Sequence, residues 1–261
     1  MRVWRLEVEY EGTRYAGWQS QPHARTVQGE LQGAAERFFG ARVELGGSGR
    51  TDAGVHALRQ VAHLKLKGSG RPPDLAQIRA GVNKLLPHDV NVLRVAPERP
   101  GFHARHDAVA RYYLYRISTR RTAFGKSYVW WVRDRLNVAA MTAACASLVG
   151  SHDFHSFCES PEKQGSTVVH VDAARVFVAG DLVLFRIGAS HFLWKMVRRL
   201  VGALVEVGRG RLTPDAFRAL LEARTNEPAA WTAPPSGLFL ERVLYRGDAP
   251  PTDDTHALRF D

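Results

Sequence analysis

The chain holds only two cysteines among 261 residues, too few for a disulfide framework. Cys145 and Cys158 also stand outside any paired spacing that would make a zinc site, so both read as reduced structural thiols. Long apolar runs are missing: no stretch reaches the roughly 18 uninterrupted apolar residues of a spanning helix, and no membrane association is expected. The opening Met1-Arg2-Val3-Trp4-Arg5-Leu6-Glu7 carries charge where a signal peptide carries an apolar core, so the expected location is the cytoplasm. The marks of a metal centre are missing as well. His152 and His155, and again His103 and His106, stand three apart, but neither pair has a helical setting or a third ligand, and no metal is expected.

What is abundant is positive charge. Lys and Arg number 36 against 26 Asp and Glu, a net charge of +10, which makes a polyanion such as RNA or DNA the first partner to consider. A hydrophobic content of 45% is enough to build a core, and the length allows one large domain or two ordinary ones.

Periodicity divides the chain into two similar runs. In the first, Trp4, Leu6, Val8 and Tyr10 alternate with charged residues as a half-buried strand does. Thr26 can cap a helix whose Val27, Leu31, Ala34, Ala35 and Phe38 share a stripe. A glycine-rich loop spans Gly46 to Gly54, and a second strand runs to Leu66. A helix marked by Leu75, Ile78, Val82, Leu85 and Leu86 stops at Pro87, and a strand follows from Val90 to Val95. In the second run, Arg111 to Ser118 reads as a strand, Asn137 as the cap of a helix bearing Met141, Ala144, Cys145 and Leu148, and Ala179-Gly180-Asp181 as a hairpin turn. Phe192 to Val205 reads as a helix with Lys195, Arg198 and Arg199 on its outer faces. Thr213-Pro214 opens a further helix, and Leu238 to Tyr245 forms a last strand. No low-complexity linker separates the runs. The expected fold is α+β: two halves, residues 1–105 and 106–246, each an antiparallel or mixed sheet backed by helices, with a mobile tail over 247–261.

The chemistry concentrates in Gly46-Gly47-Ser48-Gly49-Arg50-Thr51-Asp52-Ala53-Gly54. Glycines let a backbone take positive φ and approach another segment closely. The Gly-Lys-Ser/Thr ending of a phosphate-cradling P-loop is absent. The residues alone leave two readings open, a plain turn in which Asp52 is satisfied locally and an active-site loop that displays a carboxylate.

The run Gly49 to Ala57 closely resembles the catalytic motif of the TruA-type tRNA pseudouridine synthases. The resemblance continues through Tyr10-Glu11-Gly12, Gly17-Trp18-Gln19 with Gln21, Thr26-Val27-Gln28, Phe102-His103-Ala104-Arg105, Arg111-Tyr112-Tyr113-Leu114-Tyr115, His152-Asp153-Phe154, Phe192 to Arg198 and Gly237-Leu238. Trp194 stands where the family more often has tyrosine. By this resemblance the two halves form one catalytic unit with a central basic cleft, and Asp52 is the nucleophile. Arg50 enters the RNA helix as the target base flips out, Arg198 pairs with Asp52, and Tyr113 packs on the uracil. Periodicity by itself makes Tyr113 a core aromatic and Arg198 a solvated cation on a helix face. Tyr112 and Tyr115 read as strand packing.

The reaction so implied is isomerisation of uridine to pseudouridine at positions 38, 39 and 40 of the tRNA anticodon arm, by a homodimer and without a cofactor. Arg14, Arg25, Arg105, Lys195 and Arg199 are candidate contacts to tRNA phosphates. Two rival classes are a non-catalytic tRNA-binding protein or RNA chaperone and a nucleoside hydrolase using Asp52, although the latter lacks a second carboxylate in a matching motif. A synthase for another RNA position is the rival within the same class.

Overall fold

The computed structural model describes residues 1–68 and 73–252. The chain forms two compact units, one of Met1–Val109 with Leu240–Ala249 and one of Ala110–Phe239.

In the first unit β1 (Arg2–Tyr10) is followed by α1 (Val27–Phe39), β2 (Val43–Gly47), β3 (His56–Leu66), α2 (Leu75–Leu85) and β4 (Val90–Glu98). The β1–β3, β1–β4 and β2–β3 pairs are antiparallel, with β1 between β3 and β4 and β2 on the far edge of β3. The alternation in β1 is realised: Trp4, Leu6, Val8 and Tyr10 are buried, and Leu6 lies opposite Ala62 on one side and Val95 on the other. Thr26 caps α1 by accepting the Gly29 N–H, and Val27, Leu31, Ala34 and Ala35 go inward. Asp74 and Gln77 form a reciprocal capping box on α2. Leu75, expected on the inner stripe, is 38% exposed, because it begins the helix and only Ile78 and Val82 are buried. Two of the expected loop glycines belong to β2, which the sequence reading missed, since the five residues Val43–Gly47 include no alternation longer than Val43 and Leu45.

The second unit contains β5 (Ala108–Ser118), β6 (Trp130–Trp131), α3 (Val138–Ala146), β7 (Gly150–Asp153), β8 (Val168–Ala179), β9 (Leu182–Ala189), α4 (Met196–Gly208) and α5 (Pro214–Ala219). β9 pairs antiparallel with both β5 and β8, β7 pairs with β8, and the short β6 runs parallel to the end of β5. Asn137 caps α3 and Thr213 caps α5, as expected. The chain then enters β10 (Leu238–Tyr245), which lies beside β3 in the first unit. It ends in a turn where Tyr245 N–H meets Asp248 Oδ2 at 2.9 Å. Residues 253–261 of the expected tail lie outside the described residues.

The helix expected from Phe192 starts at Met196, four residues later. Lys195 stands at φ 59° immediately before the helix, a left-handed conformation that interrupts any helical run. Arg199, expected on an outer face, is buried, as is every residue of α4 except Arg198. A helix packed on all sides has no outer face for the pattern to identify.

That close packing makes a glycine pair informative. A Cβ at Gly202 of α4 would stand 1.6 Å from the Trp231 carbonyl oxygen, whereas one at Gly33 of α1 meets nothing within 4 Å. Gly202→Ala is expected to cost about 3 kcal/mol of stability or more, and Gly33→Ala to add about 0.5–1 kcal/mol through helix propensity. Urea unfolding of the two variants checks both signs.

Candidate active site

The loop between β2 and β3 carries Arg50 and Asp52 and is held from several sides. At its start Ser48 N–H donates to the Val61 carbonyl at 2.8 Å, and Ser48 Oγ meets the buried amide of Gln60 at 2.6 Å. Gln60 Nε2 donates in turn to the Gly49 carbonyl at 3.1 Å. In the middle, Trp18 N–H donates to the Thr51 carbonyl at 3.1 Å, and the Tyr10 hydroxyl meets Thr51 Oγ1 at 2.9 Å. Burial pushes the Tyr10 hydroxyl up to about 12, so it stays protonated and available to that bond. At the far end Gly54 N–H donates to the Tyr15 carbonyl, Val55 N–H to the Asp52 carbonyl, and Gly12 N–H to Nδ1 of the buried His56.

Close approach explains the glycines of the Tyr10–Trp18 segment. Gly17 sits at φ +98°, and a Cβ there would stand 2.5 Å from the Thr51 carbonyl oxygen; at Gly12 it would stand 2.0 Å from that of Val55. The outcome is a half-buried Asp52 and an exposed Arg50 on one fixed turn.

His63 of β3 packs with His103 and His106, the latter two being one of the pairs that the sequence offered and set aside as metal ligands. The buried His63 accepts the Ala104 N–H on Nδ1 at 3.1 Å and packs 4.5 Å from the His103 ring, which packs 4.3 Å from that of His106. His63 therefore anchors the Phe102–Arg105 segment. Among the described residues no group of three or more His, Cys, Asp or Glu is arranged to hold a metal.

In the second unit Tyr113 is a buried residue of β5 opposite Ile187, with the Phe192 ring edge-on at 4.9 Å. Tyr115 is fully buried and donates to the Pro234 carbonyl at 2.8 Å, and Tyr112 lies over Gly188, as strand packing requires. Arg198 is half-buried, and its Nε donates to the Ala233 carbonyl at 2.7 Å.

The five cations expected at phosphates differ in kind. Arg14 and Arg105 are exposed. Arg25 already pairs with Glu30 at 2.9 Å and Asp89 at 3.2 Å over the Tyr15 ring. Lys195 pairs with Glu159 at 3.3 Å. Arg199 is 3% exposed and bonds to Glu159, to the Cys158 carbonyl at 2.8 Å and to Asn226 at 3.2 Å. Its guanidinium is an internal strut, which corrects its expected place at the RNA surface.

The fold and loop define a class: an α+β protein whose helix-backed first unit holds an arginine and a carboxylate on one pinned turn. A family model described as tRNA pseudouridine synthase matches residues 7–107 and 144–246. The chain belongs to that family. Similar proteins include tRNA pseudouridine synthase A of Thermosipho melanesiensis, 40% identical over 94% of this chain and 100% of that one. The protein of the same name from Moorella thermoacetica is 43% identical over 92% of this chain and 98% of its own, and that of Brucella ovis 41% over 94% and 98%.

Burial, followed by the neighbouring His103 and Lys65, lowers the pKa of His63 from 6.5 to about 4. The unfolded chain therefore binds a proton near pH 6.5 that the folded chain refuses, so stability is full above about 6.5 and falls as pH drops toward 4. The melting temperature is expected to decline across that window, and His63→Gln, whose amide oxygen can take the Ala104 N–H, to flatten the decline. An unchanged slope in the variant would assign the pH dependence elsewhere.

Proposed function

We propose that the protein isomerises uridine to pseudouridine at positions 38, 39 and 40 of the tRNA anticodon arm, with Asp52 as nucleophile. The observation that carries this reading is the display of Asp52 on a turn pinned by Gly12, Gly17, Trp18 and Gln60, in a chain belonging to a tRNA pseudouridine synthase family. The relatives' shared name supports tRNA as the substrate. The resemblance of the Gly49–Ala57 motif to the TruA type supports the three positions.

Substrate and product are isomers. The N1–C1′ bond breaks, a C5–C1′ bond forms, the C5 proton leaves and N1 gains one. That balance calls for no redox equivalent, nucleotide or metal. An aspartate carboxylate can attack either C1′ of the ribose or C6 of the ring as a covalent catalyst. A stacked base is out of reach of any side chain, so the uridine flips out at a cost of a few kcal/mol. In this proposal Arg50 fills the space the base leaves, Arg198 is the cation that accompanies Asp52, and Tyr113 packs on the uracil and serves the proton step at C5. Arg14, Arg25, Arg105 and Lys195 serve phosphates, Arg25 and Lys195 by exchanging a carboxylate partner. The working form in this reading is a cytoplasmic homodimer, on the same resemblance, and light scattering of the purified protein tests its stoichiometry.

The deciding experiment incubates purified protein with unmodified tRNA, without added cofactor, and maps pseudouridine. Wild type should modify positions 38 to 40, and Asp52→Ala should lose about 10⁴-fold in rate or more. Binding without turnover would favour a tRNA-binding protein, and released uracil a hydrolase. Pseudouridine elsewhere would keep the chemistry and overturn the positions. Affinity should also fall steeply between about 50 and 200 mM salt, as a phosphate-dominated interface requires; a flat response would argue against that interface.

A further inference from the structure

Arg50 is exposed, yet its guanidinium is not loose. Its Nε donates to Gln19 Oε1 at 3.0 Å, and among the described residues its terminal nitrogens make no hydrogen bond or ion pair. Gln19 is itself oriented, since its Nε2 donates to Gln28 Oε1 at 2.8 Å. Gln28, nearly buried in the first turn of α1, donates its own Nε2 to the Leu45 carbonyl at 2.9 Å and accepts the Ser20 N–H on Oε1 at 3.0 Å.

These bonds fix the sense of both amides. A carbonyl and a backbone N–H flank Gln28, so its nitrogen must face Leu45 and its oxygen must face Ser20 and Gln19. Gln19 must then turn its nitrogen toward Gln28, which leaves its oxygen as the acceptor for Arg50. The backbone under the relay is tied as well: Gln28 N–H donates to the Trp18 carbonyl at 3.0 Å and Trp18 N–H to the Thr51 carbonyl.

We infer that Gln19 is a positioning residue for Arg50. It holds the guanidinium through Nε alone and presents the four terminal N–H groups to the RNA in a preset direction. The inference rests on the reading of Arg50 as the residue that replaces the flipped base. Arginine carries large rotamer freedom, and a side chain that enters a base stack must surrender it at the flipping step. A bond that restricts it beforehand speeds flipping without altering the chemistry at Asp52. The benefit is confined to target uridines that are paired and stacked.

The test uses two anticodon arms, one with the target uridine paired and one with it mismatched so that flipping is already favoured, at saturating RNA under single turnover. Gln19→Met keeps the length of the side chain and removes both amide functions. It should slow the paired arm about tenfold, the scale of one charge-assisted hydrogen bond, and the mismatched arm no more than about twofold. Gln19→Glu keeps an acceptor for Arg50 and should hold the paired rate within about threefold of wild type. In an Arg50→Ala background, Gln19→Met should add no further loss. Equal slowing of both arms, equal loss in Met and Glu variants, or a full loss persisting without Arg50 would each overturn the inference. If Arg50→Ala itself slows both arms equally, the reading of Arg50 fails instead, and the two failures are told apart.

Discussion

The hydrogen bond from the Trp18 amide to the Thr51 carbonyl is the contact on which the placement of the Asp52 turn depends. It joins the segment that follows β1 to the turn between β2 and β3, and it can form only because Gly17 carries no Cβ to strike the same carbonyl. One such bond contributes about 1 kcal/mol net. Its larger effect is positional. The Tyr10 hydroxyl, the Tyr15 carbonyl and the Gln60 amide all meet the turn in the register that this bond sets. A turn so held fixes the backbone that carries Asp52, which is what its proposed role in a preorganised site requires.

Charge is distributed by the same logic. A net charge of +10 describes the whole chain, but its cations fall into distinct sets. Arg199 is tied inside the second unit, and Arg209 bridges Asp134 at 2.7 Å and Glu206 at 2.6 Å. These guanidiniums brace the fold and offer little to a polyanion. Arg14 and Arg105 stand exposed, and Arg50 is held by a neutral amide that orients it without neutralising it.

Much of this was legible in the sequence. The alternation of β1, the Thr26, Asn137 and Thr213 caps and the hairpin at Gly180 all follow from local chemistry that repeats in any protein. Asp52 and Arg50 were legible through the resemblance of a nine-residue run. What escaped was set by partners distant in sequence. The start of α4 depends on a left-handed Lys195, the burial of Arg199 on a helix enclosed all round, and the return of Leu240–Ala249 to the first unit on a strand pairing at the end of the chain. His63 offered no sign of its role, since its partner is a backbone N–H 41 residues away.

The glycines of the Asp52 region show why composition misleads at such a site. Four glycines in nine residues suit a flexible loop or a phosphate cradle. Two of them, Gly46 and Gly47, lie in β2, where a Cβ would stand 2.6 Å from the His63 ring and 2.5 Å from the Trp18 ring. There the missing side chain admits a large neighbour, and the neighbour immobilises the backbone. The histidine brought close in this way is the one that anchors Ala104, and the tryptophan is the one whose amide holds Thr51. Glycine at these positions therefore couples the strand entering the turn to the two segments that brace the site, and rigidity arises from the residues whose composition argues for flexibility.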